Sequence, residues 1–294
     1  MRTLIALMLT LLLCGCAATA MVNVQSEPAA EDVEPQAELA AEEQINYTVE
    51  LSTWTDTAVA EDGTELAVYR FDLPVLAPVR EDGTVIKEPE TPIEEQAANV
   101  ATAFNEKFGK WAAAEEFGEI VSWAEEDLAF RREEGIDWFG PYTVELDCTI
   151  YQTEHLISVS GTYYSYTGGA HPNTWMLGWN FDLQTGEFFD PELLAEGTEL
   201  QDAVITELVR QAQTPDEDGC VPAEMYWEDY EEILANWACY AVTFDEVGMD
   251  VIFSAYELAP YAEGPQEFHL PYAYLEPYLN ESGLALLELK PAEP

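Results

Sequence analysis

Apolar and polar residues alternate from Tyr47 to Trp54 and again from Leu66 to Val75 around Val68 and Phe71, the period of a strand with one buried face. Glu61-Asp62-Gly63 between them is a turn signal, so the two segments read as a hairpin. Glu81-Asp82-Gly83 closes that unit. At Thr91 the period changes. Thr91-Pro92-Ile93-Glu94 supplies an N-cap, a proline at the first helical position and an acid at the third. Ile93, Ala97, Val100, Ala101, Phe104 and Phe108 follow at helical spacing, and the stripe continues through Trp111, Phe117, Ile120, Trp123, Leu128 and Phe130 to Gly135. That predicts one long or two consecutive helices on the sheet, with the aromatic stripe as core.

Strand-like runs resume at 142–151, 156–164 and 175–181, an antiparallel meander. Asp190-Pro191-Glu192-Leu193 predicts a helix reaching Gln211, with Leu200, Val204 and Leu208 four residues apart. A second helix is expected over 223–237. Val242–Phe244 and Met249–Phe253 then form a hairpin around Glu246-Val247-Gly248, Glu267–Leu270 returns as a short strand, and Leu284–Leu289 closes the chain. Strands and helices are grouped, which predicts the α+β class: antiparallel sheets with helices packed on one face.

Composition adds location. Arg2 precedes an apolar run from Leu4 to Leu13 that ends in Leu13-Cys14-Gly15-Cys16. The run is half the roughly 20 residues a spanning helix needs, so it reads as an export signal. Leu13, Gly15 and Cys16 fit a bacterial lipoprotein processing site, with residues 1–15 removed and Cys16 acylated as the membrane anchor. Cleavage of an ordinary secretory signal after Ala18 or Ala20 is the alternative. Residues 17–44 carry seven acids, no base and no aromatic, so 16–44 is expected to be a disordered acidic tether. The folded part is then expected as two subdomains, 45–140 and 141–290. No later segment reads as a membrane span. With 10 Lys+Arg against 58 Asp+Glu, the formal charge is −48. Such a field repels nucleic acid and anionic lipid and steers cationic partners inward, although solubility alone would also account for it.

The most distinctive stretch is Tyr163 to Asn173, Y-Y-S-Y-T-G-G-A-H-P-N. Gly168 and Gly169 permit positive φ, and Pro172 biases His171 toward extended backbone, so a loop of defined shape joins two strands. Asn180-Phe-Asp-Leu-Gln-Thr-Gly186 follows. Later, Tyr256-Glu-Leu-Ala-Pro-Tyr-Ala-Glu-Gly264 leaves a strand for a second shaped loop, ahead of Leu270-Pro271-Tyr272. In this order the segments resemble an extracytoplasmic bacterial domain without an assigned activity. It is similar to the C-terminal region of the lysozyme-sensing anti-sigma factors of the RsiV type and to the non-catalytic N-terminal region of some peptidoglycan deacetylases. The resemblance is specific over 163–187 and 253–272, and between 46 and 140 only the order of elements agrees.

That resemblance implies a partner, a cationic protein of the lysozyme class whose substrate cleft the loops enter. The matching positions are Tyr163, Ser165, Tyr166, Gly168, Gly169 and His171 in the first loop and Tyr256, Pro260 and Tyr261 in the second. Exposed tyrosines suit an interface, while Tyr163 and Tyr256 read equally well as core residues that shape the loops. The alternative is an envelope lipoprotein that binds cell-wall glycan or peptide, with Trp175 and Trp179 stacking on sugar rings. Neither the transmembrane helix nor the cytoplasmic segment of the sensors is apparent, so capture rather than direct signalling is implied.

Catalysis is not indicated. There is no G-x-S-x-G elbow, H-E-x-x-H helix or P-loop, and the deacetylases' T-F-D-D-G metal motif is missing. His171 is the one general-base candidate, with Ser165 and Thr167 nearby and no orienting acid. No cofactor is expected. His155, His171 and His269 are scattered and the cysteines lack C-x-x-C spacing, so no metal site is expected either. Cys220 and Cys239 flank the helix predicted over 223–237, and a disulfide closing that loop would stabilise by about 3 kcal/mol. Cys148 is then a buried free thiol.

Overall fold

The computed structural model describes residues 45–112, 117–216 and 218–290. The signal segment 1–15, the lipidation site Cys16 and the tether 16–44 lie outside the described residues. The first hairpin forms as its alternation requires: β1 (Asn46–Val59) pairs antiparallel with β2 (Glu65–Val79). Along β2 the odd positions Tyr69, Phe71 and Leu73 are buried, while Arg70 and Asp72 face outward and pair with each other. Thr91 then caps α1 (Pro92–Gly109), its hydroxyl accepting from the Glu94 N–H at 3.3 Å. A second helix, α2 (Gly118–Glu133), follows, and Gly135 beyond it takes φ 69°.

The chain re-enters the sheet as β3 (Tyr142–Gln152), which runs parallel to β2 in register Ala67 to Tyr142. β4 (Leu156–Tyr166), β5 (Asn173–Asp182) and β6 (Glu187–Phe189) add antiparallel, giving a six-stranded sheet in sequence order. The expected boundary at 140/141 therefore coincides with no break in the sheet, because β2 and β3 bond across it. One face carries the first core, where Phe71, Phe104, Phe108 and Phe181 are fully buried.

After a 3₁₀ turn at Pro191–Leu194 comes α3 (Glu199–Ala212), burying Leu200, Val204 and Leu208 as their spacing predicted. Glu199 rather than Asp190 begins it, since Ala195 is extended and Gly197 takes φ 69°. The continuous helix expected over 223–237 is absent. A 3₁₀ turn at Pro222–Met225, a five-residue α4 (Tyr230–Leu234) and a 3₁₀ turn at Trp237–Cys239 replace it. A second sheet, β7 (Ala241–Phe244), β8 (Gly248–Phe253) and β9 (Gln266–Pro271), is an antiparallel meander over the second core. Two short helices, α5 (Tyr272–Leu275) and α6 (Glu281–Leu286), end the described chain. The class is α+β, with antiparallel pairing dominant and one parallel contact. Among the described residues no helix is long and apolar enough to cross a membrane.

The two sheets are joined by buried polar bonds. Ser158 Oγ donates to Asn180 Oδ1 at 2.8 Å and accepts from the Phe244 N–H at 2.8 Å, and Asn180 Nδ2 donates to the Val242 carbonyl at 2.9 Å. Gly178 sits at the point of closest approach, where an added Cβ would lie 2.4 Å from the Val242 oxygen.

The disulfide expected between Cys220 and Cys239 is not formed: both thiols are exposed and free. Cys239 Sγ instead accepts from Asn236 Nδ2 at 2.8 Å. Cys148 is buried and free, and burial pushes its thiol up to about 12.

Candidate binding site

Two loops, one from each sheet, meet at a cluster of three rings. The first, 167–172, joins β4 to β5. Gly168 and Gly169 take φ of 90° and 94°, backbone that a side chain would strain, and Tyr166 closes the loop by donating its hydroxyl to the Gly169 carbonyl at 3.2 Å. The second, 254–265, joins β8 to β9. It starts from Ser254, whose Oγ accepts from the Met176 N–H at 3.1 Å and whose N–H donates to Glu257 Oε2 at 2.5 Å.

At the meeting point His171 stacks on Tyr261, ring centres 4.0 Å apart and planes 17° from parallel. The Tyr256 ring lies 5.8 Å from His171 and 5.5 Å from Tyr261. Hydrogen bonds settle the tautomer of His171. Its Nδ1 is 2.9 Å from the Pro172 carbonyl, which only accepts, so Nδ1 carries the proton. Nε2 then accepts from the Tyr256 hydroxyl at 2.9 Å. Tyr256 is 50% exposed and holds φ 72°, a left-handed backbone costly for a residue with a side chain.

Of the nine expected contact positions, His171, Tyr256 and Tyr261 therefore converge. Tyr166, Gly168 and Gly169 shape the first loop. Pro260 caps the 3₁₀ turn Tyr261–Glu263, its carbonyl accepting from the Glu263 N–H at 2.9 Å. Ser165 is 6% exposed and lies inside the sheet. Tyr163 is elsewhere: its ring tilts against Trp111 and Trp175 and lines an open apolar groove of about 350 Å³ with Phe117, Ile120 and Leu177. Trp175 is 44% exposed there, while Trp179 packs edge-on against Phe108 and Trp111.

Sequence reading missed Trp227. Its indole N–H donates to the Tyr256 carbonyl at 3.1 Å and its backbone N–H to the Leu258 carbonyl at 3.0 Å, bracing the second loop from outside. The signal was hidden because 223–237 reads as one helix. It also missed that His269 meets acids, with Nδ1 2.7 Å from Asp250 Oδ1 and Asp245 adjacent.

The chain as a whole is strongly acidic. All five arginines among the described residues, 70, 80, 131, 132 and 210, pair with carboxylates, which leaves most acids without a counter-cation. Both ring nitrogens of His171 are engaged, Nδ1 by the Pro172 carbonyl and Nε2 by the Tyr256 hydroxyl, and Ser165 is buried away from them.

Residues 85–174 match the family model described as Deacetylase PdaC, and residues 187–273 match that described as Protein of unknown function (DUF3298). The first loop lies within the former match and the second within the latter. The crystal structure of a DUF3298-family protein from Bacteroides fragilis has the same fold, with TM-score 0.57 and 15% identity over 83% of this chain and 97% of its own. A DUF3298-family protein from Pseudomonas aeruginosa aligns with TM-score 0.45 and 14% identity, over 80% of this chain and 95% of its own. No curated protein matches the chain.

Proposed function

We propose that this chain is an extracytoplasmic, non-catalytic binding protein, held at the membrane by acyl chains on Cys16, that grips a cationic protein of the lysozyme class through its two tyrosine loops. The observation that carries the reading is the convergence of His171, Tyr256 and Tyr261 from separate sheets into one braced cluster. Tyr256 supports it further, because a half-exposed aromatic held in left-handed backbone is placed for contact at a local cost in stability. The surplus of unpaired carboxylates favours a positively charged partner and speeds its capture. The matches to the Deacetylase PdaC and DUF3298 models agree with an extracytoplasmic binding-type domain.

Titration of the full chain with a cationic lysozyme at 0.05 and 0.5 M salt tests this. Binding that weakens steeply with salt, and is lost on Tyr261→Ala and on Gly169→Val, is the expected result. No complex with the parent chain at low salt overturns the reading. A second reading, glycan binding, is favoured by the groove of Trp111, Tyr163 and Trp175. It predicts binding of a neutral wall oligosaccharide that salt does not weaken and Trp175→Ala removes.

A further inference from the structure

The outer face of the second sheet, turned from its own core, carries one row of polar side chains. Thr243 on β7 is directly opposite Asp250 on β8, and Asp250 is directly opposite His269 on β9. Residues opposite each other across a ladder share a face, so the three stand side by side. Asp245, two residues beyond Thr243, falls on the same face, and ligand atoms of Asp245, Asp250 and His269 all lie within 4.8 Å of one another.

Thr243, Asp245 and Asp250 of this row, with Glu267, line one wall of a crevice of about 390 Å³ between the sheets, opposite Ser160 and Met176. Thr243 is 5% exposed, yet its hydroxyl makes no hydrogen bond to any described residue and borders the crevice. The hydroxyl keeps contact with the open crevice, so a ligand entering there can meet it. No arginine or lysine among the described residues pairs with Asp245, Asp250 or Glu267. Gly248 clears space for the imidazole, since a Cβ there would come within 2.8 Å of His269 Cε1.

We propose that Asp245, Asp250 and His269 bind a divalent first-row metal ion at the mouth of this crevice, with the Thr243 hydroxyl turned to the same site. Two carboxylates and one imidazole suit zinc or manganese, whereas calcium and magnesium favour oxygen ligands alone. His269 Nδ1 and Asp250 Oδ1, 2.7 Å apart, are hydrogen-bonded to each other without the ion, which would take the place of the proton between them. On binding, Nδ1 gives up its proton to solvent and offers its lone pair to the metal. The site is independent of the tyrosine loops.

The chain has three histidines, which makes the test selective. The full chain, stripped with chelator and labelled in its histidine rings, is titrated with Zn²⁺ and separately with Ca²⁺ while the ring resonances are followed. One equivalent of Zn²⁺ shifts the His269 resonance and leaves those of His155 and His171 in place, and Ca²⁺ does not compete. Asp250→Asn and His269→Ala each weaken binding at least 10-fold, and Thr243→Val weakens it less. Unmoved His155 and His171 resonances certify that each variant is folded. A His269 resonance indifferent to 1 mM Zn²⁺, or affinity unchanged in folded Asp250→Asn, overturns the proposal.

Discussion

Tyr256 allows stability and binding to be separated at one position. Its φ of 72° places a side chain in a backbone region that costs an L-residue about 1–2 kcal/mol. Tyr256→Ala keeps that cost and removes the ring, while Tyr256→Gly removes both. Part of the gain is offset because glycine loses more chain entropy on folding, so the glycine variant should be the more stable by about 1 kcal/mol. For a folded part of this size that is a difference of about 2–4 °C in Tm, measurable by differential scanning calorimetry. Binding should not follow stability. If Tyr256 anchors a partner, both variants lose about 2 kcal/mol, roughly 30-fold in Kd, although one is stabilised relative to the other. Tyr256→Phe isolates the hydroxyl, whose 2.9 Å bond to His171 Nε2 is worth about 0.5–1.5 kcal/mol. Equal Tm values for the alanine and glycine variants would refute the strain argument. A glycine variant that binds cationic lysozyme as tightly as the parent would refute the contact argument.

Further expectations concern other parts of the molecule. Glu94 is 1% exposed, accepts the Glu90 N–H at 2.6 Å and pairs with Arg80, and that backbone bond, with Arg80 behind it, holds its carboxyl below the usual range. The stability this contributes is present above the unfolded glutamate range and lost as pH falls through the lower folded value, so the Tm deficit of Glu94→Gln should shrink in acid; a deficit constant from pH 7 to pH 3 refutes this. The Tyr69 hydroxyl is buried without a hydrogen bond, so Tyr69→Phe should raise stability by about 1 kcal/mol, and a loss of stability in denaturant melts would contradict that. A maleimide should label Cys220 and Cys239 in the native chain and spare Cys148 until denaturant is added; labelling of one residue or none before then refutes the assignment of two free, exposed thiols. Gly178→Ala would press a methyl against the Val242 carbonyl, costing about 1–3 kcal/mol in chemical denaturation, and an unaltered midpoint would disprove the contact.

Local chemistry was legible in the sequence and long-range pairing was not. The hairpin β1–β2 and the start of α1 were readable because their signals, Glu61-Asp62-Gly63 and Thr91-Pro92-Ile93-Glu94, lie inside the elements they specify. The parallel union of β2 with β3 was not, since it is closed by contacts that skip both helices. The 223–237 stretch has helical spacing, but Trp227 donates its backbone and indole N–H groups to the loop at 256–258, and a tertiary partner outweighed local preference. At the candidate site the motif residues identified the loops, and the glycines and Tyr166 hold the expected turn. Tyr163 and Ser165 belong to the same motif, yet strand alternation turns them into the sheet, a distinction that depends on register. His269 seemed isolated because its neighbour Asp250 is adjacent only across a ladder.

The near-contact of Gly178 with Val242 has a consequence for how such a molecule diversifies. Each half of the ring cluster is carried by a different sheet, so the spacing of its halves is governed by the seam. With no spare room at that seam, bringing the two sheets closer is closed off, and the buried bonds of Ser158 and Asn180 hold them from moving apart. Variation at the cluster is then left to side chains on loops that keep their spacing, much as interchangeable bits serve a chuck of one bore.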